Sequence, residues 1–80
     1  MDEANKKYDQ AFEDTFGVEA KDLKDSFSKD TVESWDSIHQ LGLVTALEDL
    51  FDIMLDPEDI MAFSSYGQGK KILQKYAIKL

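Results

Sequence analysis

The sequence predicts an all-α fold: a small four-helix bundle of three longer helices and one short third helix, with a long ordered loop between helices 1 and 2. Three observations carry this expectation. Apolar residues recur at three- and four-residue spacing in separate stretches, which is the period of a helix with one buried face. Residues that start or stop helices punctuate those stretches. The length of 80 residues suits a single domain over 1–80, because a chain this small buries only about 60 to 65% of its unfolded surface.

The first helix is expected from about Asp2 to Phe16, where Tyr8, Ala11, Phe12 and Phe16 make one apolar stripe and Gly17 suits the C-terminal cap. From Val18 to Trp35 the apolar residues Val18, Leu23, Phe27, Val32 and Trp35 follow no sustained period, so this segment reads as an ordered loop pinned by those side chains. The second helix shows the clearest stripe: Ile38, Leu41, Val44, Leu47 and Phe51, widened by Leu43 and Leu50. Asp36 or Ser37 would cap its start, and Ser37 with Gln40 also fits the capping-box pattern. Asp56-Pro57-Glu58 places a cap, a first-position proline and a first-turn acid ahead of a short helix through about Ala62. Ser64-Ser65 interrupts the pattern. From Tyr66 onward, Ile72, Leu73, Tyr76, Ala77 and Leu80 define a last amphipathic helix whose first turn Gly67 and Gly69 weaken. The second-helix stripe, with Phe12, Ile60, Phe63, Ile72 and Tyr76, is expected to form the core.

Charge excludes several functions. With 17 acids against 9 bases and a net charge of -8, the chain repels phosphate backbones and anionic membranes and attracts basic protein surfaces. Hydrophobic residues at 42% and charged residues at 32% are a globular balance, so the acidity does not signal disorder. The absence of cysteine removes disulfides, thiolate metal cages and a cysteine nucleophile, and a reducing compartment is acceptable. The N-terminal MDEANKKYDQ has no apolar run after its charges, and no stretch approaches the roughly 18 apolar residues of a membrane span. Neither a signal peptide nor a membrane anchor is therefore expected, and the expected location is the cytoplasm.

The strongest local signal is Asp36-Ser37-Ile38 at the head of the second helix. Taken alone it is an ordinary cap, but the wider segment Trp35 to Tyr66 resembles the core of the acyl carrier protein family. The family's Asp-Ser-Leu stands as Asp36-Ser37-Ile38, and its Ala-Leu-Glu-Glu-x-Phe as Ala46-Leu47-Glu48-Asp49-Leu50-Phe51, at matching spacing. Pro57 to Ala62 corresponds to its short acidic third helix, Ser64-Ser65 to its hydroxyl pair, and Tyr66 to the start of its last helix. The resemblance implies that Ser37, with Asp36 as the motif partner, bears 4'-phosphopantetheine, donated by coenzyme A through a phosphopantetheinyl transferase. It implies a monomeric carrier of acyl thioesters without catalysis of its own, serving acyl-transferring and acyl-modifying enzymes, with no nucleic-acid or membrane partner.

The acids Glu48, Asp49, Asp52, Asp56, Glu58 and Asp59 are expected to dock on basic patches of partner enzymes. Some family members hide the acyl chain among these helices, which makes Leu47, Phe51, Ile60 and Phe63 the candidate pocket lining. His39 and Gly42 stand where many fatty-acid carriers have acids, and the Trp-Asp-Ser entry, with Leu50, Met54 and Met61, resembles carriers of specialised pathways. Gly42 invites close approach by a helix, a partner or the arm. A peptidyl or aminoacyl carrier, or an unmodified helical adaptor, would share most of these features. A Ser37–His39 nucleophile and base pair is disfavoured because residues two apart on a helix diverge. A calcium loop at Asp49 to Glu58 fails for want of alternating ligands and a central glycine, so no metal is expected.

Overall fold

The computed structural model describes residues 3–80. It contains four α-helices among them, α1 Glu3–Phe16, α2 Ser37–Phe51, α3 Pro57–Ala62 and α4 Tyr66–Gln74, with a 3₁₀ turn at Ala20–Asp22 inside the long α1–α2 connection. Asp2, the expected start of the first helix, lies outside the described residues. No helix among the described residues is long and apolar enough to cross a membrane.

Helix α1 buries Tyr8, Ala11 and Phe12. Gly17 ends it in the left-handed region at φ 66°, a conformation open to glycine without a Cβ clash, and its N–H donates to Glu13 O at 2.8 Å. Phe12 is the centre of an aromatic cluster, with ring centroids 5.0 Å from Tyr8, 5.3 Å from Tyr66 and 5.8 Å from both Phe27 and Trp35. Tilted and edge-on pairs of this kind stabilise beyond their burial alone. Phe27 and Trp35 thereby anchor the long loop to the core, as expected. The loop is also stitched to the α3–α4 junction, since Lys29 N donates to Ser64 O at 3.0 Å, Tyr66 N donates to Phe27 O at 2.9 Å, and Ser28 pairs with Ser65 in an isolated antiparallel bridge.

The expected inward stripe of α2 is wrong in its first half. Leu43, Val44 and Leu47 are buried, whereas Ile38 is 78% and Leu41 64% exposed. At about 100° per residue the buried direction set by Leu43, Val44 and Leu47 passes through Gln40, so Ile38 falls on the far side and Leu41 beside it. A polar residue thus occupies the core-facing position of the first turn. Gln40 is suited to it: its Oε1 accepts from Trp35 Nε1, and its Nε2 donates to Ile60 O at 2.8 Å and Phe63 O at 3.0 Å. One side chain ties the loop, α2 and α3 together.

Pro57 begins α3 after the cap residue Asp56, as the sequence predicts. Ser65 caps α4, accepting from Gln68 N at 3.0 Å, and the helix buries Tyr66, Gly69, Ile72 and Leu73. The expectation that α4 continues through Ala77 to Leu80 is corrected: regular helix stops at Gln74, Ala77 turns left-handed at φ 66°, and Ile78 N reaches back to Leu73 O at 3.3 Å. Tyr76, Ile78 and Leu80 nevertheless pack half-buried on the core.

Candidate functional site

The loop delivers Asp36 to the head of α2 in extended conformation, where its carboxylate accepts from His39 N at 2.9 Å and lies 2.8 Å from His39 Nδ1. The backbone N–H of His39 first, and then its ring, hold the Asp36 carboxyl below its ordinary value. His39 in turn stacks on Phe16 of α1, with ring centroids 5.8 Å apart and planes inclined by 15°. Asp36 is therefore the cap. The Ser37–Gln40 capping box does not form, because Gln40 is committed to Trp35 and α3.

This leaves Ser37 as the first helical residue, exposed, with a hydroxyl that has no hydrogen-bond partner among the described residues. The N–H groups of Ser37 and Ile38 likewise have no acceptor among those residues. They sit at the positive end of a helix of 15 residues, a setting that favours a phosphate. Ser37 also lines a cleft of about 410 Å³ together with Lys29, Trp35, Asp36, Gln40, Ile60 and Met61. The cleft lies between the loop, the first turn of α2 and the end of α3. Its wall is apolar at Trp35, Ile60 and Met61 and charged at Lys29 and Asp36.

No family model matches the chain, and no curated protein matches it.

Of the four residues expected to line an acyl pocket, Ile60 lines this cleft. Leu47 and Phe63 are instead fully buried in the packed core, and Phe51 is half-buried against it. Sequence reasoning missed Lys29, Gln40 and Met61 as cleft walls. The available signal for Gln40 was its spacing of three, four and seven residues from Leu43, Val44 and Leu47, which a reading of apolar residues alone skips.

The six candidate docking acids separate into two kinds. Asp49, Asp52, Asp56 and Glu58 are exposed, and Asp52 also ends α2 in the left-handed region at φ 54°. Glu48 is half-buried and accepts from Leu55 N at 2.9 Å, closing the turn after α2. Asp59 departs furthest from the expectation. It is buried, with Lys75 Nζ donating to Oδ1 and Tyr76 Oη to Oδ2, each at 2.6 Å. Tyr76 Oη in turn accepts from Asp56 N at 2.9 Å. The hydrogen bond from Lys75 first, and then that from Tyr76, hold the Asp59 carboxyl below its ordinary value. Asp59 thus fastens α3 to the segment after α4, which removes it from the docking group.

Ser37 and His39, the rival nucleophile and base, serve different surroundings. Ser37 lines the cleft toward α3, while the His39 ring lies against Asp36 and Phe16.

Proposed function

We propose that the chain is an acyl carrier: Ser37 bears a 4'-phosphopantetheine arm on which acyl intermediates of fatty-acid or related biosynthesis (polyketide, lipid or surface-glycan) travel as thioesters between partner enzymes. The observation that carries the reading is the state of Ser37. Asp36 does the capping, so the serine hydroxyl is left exposed at the rim of a cleft, beside backbone N–H groups that have no acceptor among the described residues. A serine kept only as a cap would be engaged in capping.

The residues present fit the group. Loading would join Ser37 Oγ to the phosphorus on the pantetheine side of coenzyme A as the pyrophosphate P–O bond breaks, with the adenosine bisphosphate leaving and the hydroxyl proton passing to the transferase. Ser37 N–H and Ile38 N–H would face the resulting phosphodiester, and the negative charge of Asp36, which opposes it, is already engaged by His39. When bound, the arm supplies the thiol that a chain without cysteine lacks.

The placement of acids supports docking on basic partners. Glu48 and Asp49 occupy the last turn of α2, and no base accompanies them there. Acids at a helix C-terminus oppose the helix dipole, each at a cost of about 0.3 to 1 kcal/mol when exposed. Asp49 is thus kept at an exposed position where helix stability alone would favour lysine. Glu58 in the first turn of α3 has the dipole in its favour, and carries less weight. The chain acts on this reading as a non-catalytic cytoplasmic shuttle whose partners supply the chemistry.

The test is to incubate the protein with coenzyme A and a promiscuous phosphopantetheinyl transferase and to weigh it intact. Wild type gains one phosphopantetheine and Ser37→Ala gains none. A wild type that stays unmodified, or an alanine variant that loads equally, refutes the proposal.

A further inference from the structure

The geometry points to Lys29 as the counter-ion that holds the phosphodiester of an arm on Ser37, drawing the adjoining branched apolar part of that arm onto Trp35, Ile60 and Met61. The inference rests on the reading of Ser37 as the attachment site. Lys29 and Ser37 line the same cleft, and the other charged wall residue is Asp36, whose carboxylate is engaged by His39. Lys29 itself forms no ion pair among the described residues. In a chain of net charge -8, an uncommitted cation at the mouth of this cleft is set against the prevailing field.

Its position is built rather than incidental. Lys29 N donates to Ser64 O at 3.0 Å, and the neighbouring Ser28 pairs with Ser65. Val32 N donates to Ser28 O at 2.9 Å, and the Thr31 hydroxyl receives Ser28 N at 3.1 Å. Buried Phe27 fixes the near side of the turn. The backbone beneath Lys29 is therefore held on both sides, which lowers the ordering cost of pairing its ammonium with an anion tethered to Ser37. The side chain stays exposed, so the pair is weak and salt-sensitive. Such a clamp lets the arm rest against the domain between deliveries and leave when a partner binds.

The experiment uses isotope-labelled full-length chain, loaded as above, with intact mass confirming conversion. The readouts are the arm's phosphorus resonance and the apo-to-holo shifts of the Lys29, Ile60 and Met61 amides. In wild type these amides shift on loading. In Lys29→Gln the fraction of arm in the cleft falls about two- to fivefold, the range of an exposed ion pair. Lys29→Arg retains it, and so does Lys24→Gln, at an exposed loop lysine outside the cleft. High salt brings wild type to the level of Lys29→Gln. The bonds that shape the turn come from the backbone at Lys29, so the glutamine variant keeps them, and its apo spectrum checks the fold. Full loading with the same shifts in Lys29→Gln as in wild type overturns the role of Lys29 while leaving Ser37 standing. Failure of wild type to load overturns both.

Discussion

Alanine in place of Gly42 and in place of Gly69 should change stability in opposite directions, although both glycines lie inside helices. A Cβ at Gly42 meets nothing within 4 Å. Gly42→Ala should therefore stabilise by about 1 kcal/mol, the helix-propensity difference between the two residues. At Gly69 the same atom would stand 2.2 Å from Phe63 Cζ and 2.3 Å from Tyr8 Oη, far inside the carbon contact distance of about 3.5 to 4.0 Å. Neither ring can move away cheaply, since Phe63 and Tyr8 are both fully buried. Tyr8 Oη also donates to Tyr66 O, so displacing it leaves a buried hydroxyl without its acceptor. Overpacking costs about 1 to 3 kcal/mol and the lost hydrogen bond about 1 to 3 more, against about 1 regained from helix propensity. The net is near 3 kcal/mol of destabilisation, or a fall in Tm of roughly 12 to 24 °C for a domain of this size, against a rise of about 4 to 8 °C for Gly42→Ala. Thermal melts followed by circular dichroism, with calorimetry, measure both. A Gly69→Ala protein that melts with wild type refutes the packing described around Tyr8 and Phe63, and a Gly42→Ala protein that melts lower refutes the open space at Gly42.

Gln40→Ala leaves Trp35 Nε1, Ile60 O and Phe63 O without the partner that now joins them. Urea titration should show a loss of about 1 to 3 kcal/mol together with a shift in the emission of Trp35, and an unchanged midpoint would show that Gln40 is not a strut. In acid, the depressed folded-state pKa of Asp59 means that its stabilisation is complete above the ordinary carboxylate value and is lost as pH falls toward the folded value. Melting temperature should therefore drop below about pH 4, less steeply in Asp59→Asn. In alkali the signs reverse for Tyr8 and Tyr66, whose phenols are pushed up chiefly by burial. The unfolded chain ionises near pH 10, so stability should fall above that pH, and phenolate absorbance should rise together with unfolding rather than before it. Asp49→Lys should slow acyl transfer from a cognate partner by about fivefold at low salt, with the gap closing as salt is raised. Equal rates at every salt concentration would remove Asp49 from the docking surface.

The all-helical class, the order of the helices and several of their ends were legible in the sequence because the forces that set them act within about one turn. Pro57 after Asp56 starts α3, Gly17 ends α1 in a conformation that suits glycine, and Ser65 satisfies a free N–H at the head of α4. Ser37 was legible as a site candidate for a related reason, since its motif and the helix it heads are contiguous. The cleft beside it was not. Its walls come from the loop, α2 and α3, and Lys29 reaches it only because residues 28 and 29 pair with 64 and 65. Distant partners also chose which side of α2 to bury, setting Gln40 inward and Ile38 outward, and turned Asp59 from a surface acid into a fastening for α3. The sequence by itself determined where the helices begin and that Ser37 stands at the head of α2, because propensity and capping are local. Only the tertiary structure decided which side chains face that serine, because packing and long-range hydrogen bonds depend on residues far along the chain.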